Sequence, residues 1–366
     1  MAFDPYNEDY QRLGLRFAHT LSDRDPLGAA RAAAGFRRRY QTARDTLPQS
    51  DADRAFHLVA QAADLIDYQL PFATDDAVEP MMQSATKMLG EALELDEHCF
   101  DARRMKAAAE APSFDAYYRF LADGAEEVRE RCMAEADQAL RGRLQPQLSA
   151  DLALRPYLRW ISCQASKALV CGRYRRAADL CEELLRLDPH DASDARFTWA
   201  LALAKLEDAD GMDRLATSFP PAAFGRRHED AWLLIARAAL AFKRHELGEA
   251  RGHVARLVTL YPHAGETLMR QDEYPDGVFA RLAVQPSSED ELIIAVSEAT
   301  VLLQEGLEEL PGSSLWAAPM PEQRLGSFGA WLQGDAEVRR DAERSARTRG
   351  RSMPRGRSQG NDGGGV

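Results

Sequence analysis

Lysine is scarce in this 366-residue chain: Lys87, Lys106, Lys167, Lys205 and Lys243 are the only ones, and arginine supplies the rest of the 46 basic residues. The skew fits a coding bias of the high-GC bacterial kind better than arginine-specific recognition. Asparagine is scarcer still, with Asn7 and Asn361 alone. Cysteine is limited to five, an odd number with no C-x-x-C pair, which gives neither a disulfide framework nor a zinc site. Cys99, Cys163, Cys171 and Cys181 fall in helical patterns and read as small buried residues. No apolar run approaches the roughly 18 residues that a membrane helix needs. The start, MAFDPYNEDYQRLG, has no basic region followed by an apolar one, so it does not read as a signal peptide. A reducing, cytoplasmic setting without membrane insertion is the expectation. Motifs are missing as well. There is no G-x-S-x-G, no phosphate-binding glycine loop and no H-E-x-x-H.

The charge is −12 overall and unevenly placed. From Arg344 to Val366 six arginines and one aspartate give +5, which leaves −17 on the rest. So acidic a body argues against specific nucleic-acid binding, because phosphate contacts need a basic face. What is abundant is Ala, Leu, Arg and Glu, with few β-branched residues, and this favours helix throughout.

The clearest organisation lies between Leu158 and Pro189. Leu158, Ile161, Ala165, Ala168 and Leu169 recur at helical spacing, and Gly172-Arg173 breaks the pattern, with Tyr174 closing the turn. Ala177, Cys181, Leu184 and Leu187 then continue to Asp188-Pro189, where the proline ends the helix. Such a helical hairpin cannot bury its shared face alone and needs neighbours to stack on. These residues resemble a tetratricopeptide repeat (TPR): Ala165, Gly172, Tyr174, Ala177 and Pro189 sit at the family's signature positions. The same offsets recur at Ala238, Leu247, Ala250, Leu257 and Pro262, and a half repeat at Ala85, Leu89, Ala92 and Leu95-Asp96. Pro189 and Pro262 are 73 residues apart, room for a degenerate repeat around Ala195 to Phe219. There Trp199 stands where the family has a small residue. More loosely, the C-terminal half is similar to the suppression-of-tumorigenicity helical family, a likeness that identifies no active residue.

The resulting expectation is an all-α, TPR-like right-handed helical-hairpin solenoid with an irregular C-terminal cap and a disordered tail. Its divisions are an N-terminal helical region at 1–148, repeats at 149–262, an irregular connection with capping helices at 263–343, and a basic tail at 344–366. Within these, Ser50 or Asp51 caps a helix, Gly124 is a candidate break in a long helix from Ser113 to Leu144, and Pro146 to Pro156 reads as a linker. Ser287 or Ser288 caps a helix rich in apolar residues, and a last helix runs from about Pro321 to Arg344. Arg37-Arg38-Arg39 reads as a solvated face.

Candidate chemistry is thin. His245, Glu249 and His253 have metal-like spacing, yet His245 falls in a repeat turn, which spoils their alignment. His98-Cys99 lacks a second ligand pair. Trp316 and Trp331 are pocket aromatics or packing residues. No catalytic residue, metal or cofactor is expected. The TPR resemblance implies instead a peptide-binding groove lined by the first helix of each hairpin. It places Arg159, Ser162, Ser166, Trp232, Ile235 and Ala239 on that face, with Arg196 from the degenerate repeat and Arg104 from an earlier helix. Arginines there suit the carboxylates of an acidic peptide from an unidentified protein. With so little asparagine, the asparagine clamp of chaperone-binding members cannot be built. The functional expectation is a non-catalytic interaction module or scaffold. The alternative is a ligand-sensing regulator of a transcription or signalling partner.

Overall fold

The computed structural model describes residues 4–21, 26–70, 73–218, 229–271, 284–305 and 324–352, and these are all-helical apart from one two-residue antiparallel pairing, Gln304–Glu305 with Arg324–Leu325. No helix among them is long and apolar enough to cross a membrane.

Local signals place most of the boundaries. In the N-terminal region α1 (Pro5–His19) is capped by the Asp4 carboxylate, which accepts from Asn7 N–H at 2.9 Å, and α2 (Pro26–Ala43) begins at a proline. Helix α3 (Asp51–Ala63) starts in a reciprocal capping box between Ser50 and Asp53. It runs on as a π-type turn over Asp64–Gln69. Next come α4 (Asp75–Leu95), α5 (Phe100–Glu110) and α6 (Phe114–Leu140). Helix α6 is unbroken at Gly124. That glycine lets Trp160 lie against the helix, since a Cβ there would sit 2.8 Å from Trp160 Cζ2. The expected break was therefore a packing site.

The linker expected at Pro146 to Pro156 is helix instead. These residues open α7 (Pro146–Val170), a single 25-residue helix with Pro156 inside it. Proline removes the amide that would have bonded the Leu152 carbonyl four residues earlier. Arg12 Nη2 from α1 donates to that carbonyl at 3.1 Å instead. A long-range contact thus completes a helix that local sequence rules would stop.

Three helical hairpins follow: α7 with α8 (Tyr174–Leu187), α9 (Ala195–Leu206) with α10 (Ala209–Ser218), and α11 (Ala231–Lys243) with α12 (Leu247–Leu260). Each turns through one left-handed residue: Gly172 (φ 71°), Glu207 (φ 57°) and His245 (φ 60°), at successive separations of 35 and 38 residues. In each, the next amide bonds back five residues, Arg173 to Ala168 at 2.8 Å, Asp208 to Leu203 at 3.1 Å and Glu246 to Ala241 at 2.9 Å. Trp199 is half-buried on α9 and packs against both the α5–α8 core and the core that follows it.

The C-terminal part holds α13 (Ala264–Met269), α14 (Glu289–Glu298), capped by Ser288, α15 (Thr300–Leu303), α16 (Ser327–Gly334) and α17 (Ala336–Ser352). The single helix expected from Pro321 is two. Residues 344–352, expected to be disordered, continue α17, where Ser345 is buried. The Asp341 carboxylate anchors that helix by accepting from Gly265 N–H at 3.0 Å. The core runs as a chain of apolar clusters, from Leu13, Phe17, Phe36 and Leu47 at one end to one that unites α9, α11 and α12 with α14–α17.

Candidate functional site

Arginines on the first helix of successive hairpins were expected to face a partner, and the structure shows what they face. Arg159 on α7 grips Asp101 with two nitrogens, Nε to Oδ1 at 2.7 Å and Nη2 to Oδ2 at 2.5 Å. Its Nη1 donates to Glu8 Oε2 on α1 at 2.8 Å. Arg12 and Arg155 also reach Glu8. Arg104 donates to Cys163 Sγ at 3.2 Å and lies 3.5 Å from Asp101. Both carboxylates are buried. Burial alone would raise the Asp101 carboxyl, but the Arg159 and Arg104 guanidinia override it and hold it at about 2. Glu8 is likewise held below its ordinary range against burial, by Arg159 and Arg12. The place expected for an acidic peptide is taken by Glu8 and Asp101 of the same chain.

The face of α11 is also covered. Trp232, Ile235 and Ala239 are buried, in one apolar core with Leu292, Ala295 and Val296 of α14. The Trp232 indole donates to Glu298 Oε2 at 2.6 Å and stacks on Phe197 at a centroid distance of 3.8 Å. The open groove expected at these three residues is therefore filled by the chain's own helices, because α14 supplies the apolar surface that their side chains need. Ser162 and Ser166 are half-buried on α7. Arg196 is buried, 3.2 Å from Asp230 and over the Phe197 ring. Trp331 packs with Phe328 and Phe242, and Trp316 lies outside the described residues.

The histidine constellation does not assemble on one helix. His245 sits in the left-handed turn, while Glu249 and His253 share α12 at 3.6 Å. Among the described residues no group of three such side chains is placed to hold a metal. The Cys99 thiol is buried, which pushes it up to about 12 and leaves it without thiolate at neutral pH.

One recess of about 590 Å³ opens between α10, α11 and α12. Leu233, Ala216 and Thr217 form part of its lining, and Arg237 and Arg256 bring guanidinia to it. Arg237 Nη2 contacts Asp213 Oδ1 at 3.1 Å, and Asp213 is 72% exposed; Arg256 pairs with Glu229. His253, one turn before Arg256 on α12, has its pKa lowered by burial and by the Arg237 charge. A smaller recess lined by Arg196, Phe197, Ala200 and Leu215 shares Ala216 and Leu233 with it. Sequence reading missed Arg237, although it is the one charge inside the otherwise apolar run AWLLIARAALAFK before its final lysine. A lone arginine there signals a solvent-facing gap on a buried helix. Compared with known proteins, the chain matches no family model, no curated protein and no solved structure.

Proposed function

We propose that this chain is a non-catalytic, TPR-like helical-hairpin scaffold that binds a peptide segment carrying carboxylates, with the α10–α12 cleft as the binding place. The recess carries the reading: it sets two arginines over a partly apolar wall, and Asp213, the partner of one, lies mostly in water. A ligand carboxylate can replace Asp213 on Arg237 at little electrostatic loss, since exposed pairs are worth only about 0–1 kcal/mol. Net affinity then comes from apolar ligand groups buried against Leu233 and Ala216, at about 25 cal/mol per Å². The repeated left-handed turns at Gly172, Glu207 and His245 support the repeat-array part of the proposal.

A selection of displayed peptides on the full-length protein tests it. Enriched peptides should be acidic with one or two apolar residues, and Arg237→Ala with Arg256→Ala should abolish their binding while circular dichroism stays unchanged. Equal binding by that variant removes the cleft from the proposal. The volume of the recess also falls in the range of about 300–1,000 Å³ of small-molecule sites. Thermal-shift stabilisation by small carboxylates, without any peptide enriched, would favour the ligand-sensing alternative.

A further inference from the structure

We infer that this protein associates with a second copy of itself, the basic outer face of α2 on one copy meeting the acidic start of α4 on the other. Helix α2 carries Arg31, Arg37, Arg38 and Arg39 and no acidic residue. Its inward face is Phe36 and Tyr40, whose rings pack tilted and edge-on against Tyr10 of α1, both at a centroid distance of 5.1 Å. Leu27, Arg31 and Arg38 are spaced i, i+4 and i+11, so they line up on the opposite face, in solvent. Arg31, Arg37 and Arg38 make no side-chain ion pair among the described residues, in a molecule where most buried and half-buried arginines are paired. Arg39 is turned back to the Thr46 carbonyl. Leu27, 62% exposed, projects beside these charges.

The complement lies on the same chain. The first turns of α4, Asp75, Asp76 and Glu79, are exposed and make no ion pair among the described residues, and Val78 beside them is 37% exposed. Within the chain α2 rests on α1 and α4 on α3 and α5, so each charged face is left for an external surface. A two-fold arrangement sets α2 of each copy against α4 of the other and satisfies both faces at once, which closes the assembly at a dimer. Both faces are in solvent, so the association is weak and falls as salt is added.

Sedimentation velocity on the full-length protein over a concentration series tests this, with two charge-reversed variants. One carries Arg31→Glu, Arg37→Glu and Arg38→Glu; the other carries Asp75→Arg, Asp76→Arg and Glu79→Arg. All six positions are on the surface, and circular dichroism checks the fold. Wild type should rise from 40.7 kDa toward twice that mass, each variant alone should stay monomeric, and their equimolar mixture should recover the dimer. Wild type that stays monomeric throughout, variants that associate as wild type does, or a mixture that does not recover the dimer would each overturn the proposal. So would a monomeric wild type whose α2 face instead binds anionic vesicles or a single-stranded oligonucleotide, because the face would then have another occupant.

Discussion

Arg12 Nη2 donates at 3.1 Å to the Leu152 carbonyl, the one group that Pro156 leaves without its helical donor. The same guanidinium pairs with Glu8 at 2.8 Å and lies 4.3 Å above the Phe56 ring. One side chain thereby ties α1, α3 and α7 together. Arg12→Met should lower stability by about 1–3 kcal/mol, the cost of leaving a partly buried acceptor and a charge without their partner. Pro156→Ala restores the missing amide. In that background Arg12→Met should cost about 1 kcal/mol less. Urea unfolding of the four proteins measures the coupling, and strictly additive midpoints would show that Leu152 gains nothing from Arg12.

At the α6–α7 contact, Trp160 Nε1 donates to the Leu121 carbonyl at 2.8 Å while its ring lies over Gly124. Helix propensity alone says that Gly124→Ala stabilises α6 by about 1 kcal/mol. The added methyl, however, meets an indole that is fully buried and cannot yield. We expect a net loss of about 1–3 kcal/mol, as in other overpacked cores. Thermal unfolding decides the sign, and a stabilised variant would place Trp160 elsewhere.

The sequence made the capped and turned parts of this fold readable because their causes are local. Ser50, Ser288, the Gly172 turn and Pro189 act within a few residues of themselves. Gly124 and Pro156 misled because each is resolved by a partner distant in sequence, Trp160 for one and Arg12 for the other. The expected groove fared likewise. Spacing placed Trp232, Ile235 and Ala239 on one helical face, but only tertiary structure shows that α14 covers it. Arg159 was legible as an arginine that seeks carboxylates; that Glu8 and Asp101 would supply them was not. The cleft at Arg237 depends on how three helices diverge, which periodicity does not encode.

His245 occupies the left-handed position that Gly172 fills in the first hairpin, and it is exposed there. A residue with a Cβ costs roughly 1–2 kcal/mol in that conformation, part of which glycine gives back through its freer unfolded chain. His245→Gly should therefore raise stability by about 0.5–1 kcal/mol, and Gly172→Ala should lower it by a similar amount. Denaturant midpoints for the pair test the equivalence of the two turns. A destabilised His245→Gly would mean that the imidazole makes a contact worth more than the strain.

Asp191 sits in the α8–α9 connection, where its Oδ1 accepts from Ala195 N–H at 2.6 Å. Burial, with the nearby Asp194 charge adding to it, raises its carboxyl from 3.8 to about 7 despite that bond. The folded protein thus holds a proton that the unfolded chain has released between pH 3.8 and about 7. Across that window stability falls as pH rises, and above it the penalty is constant, on the order of 4 kcal/mol. Asn keeps the acceptor and cannot ionise. Asp191→Asn should match wild type near the acid end of the window, gain on it steadily as pH rises, and hold a fixed advantage above about pH 7. Urea midpoints of both proteins across this range make the test, and parallel curves would mean that Asp191 ionises in the fold as an ordinary carboxylate does.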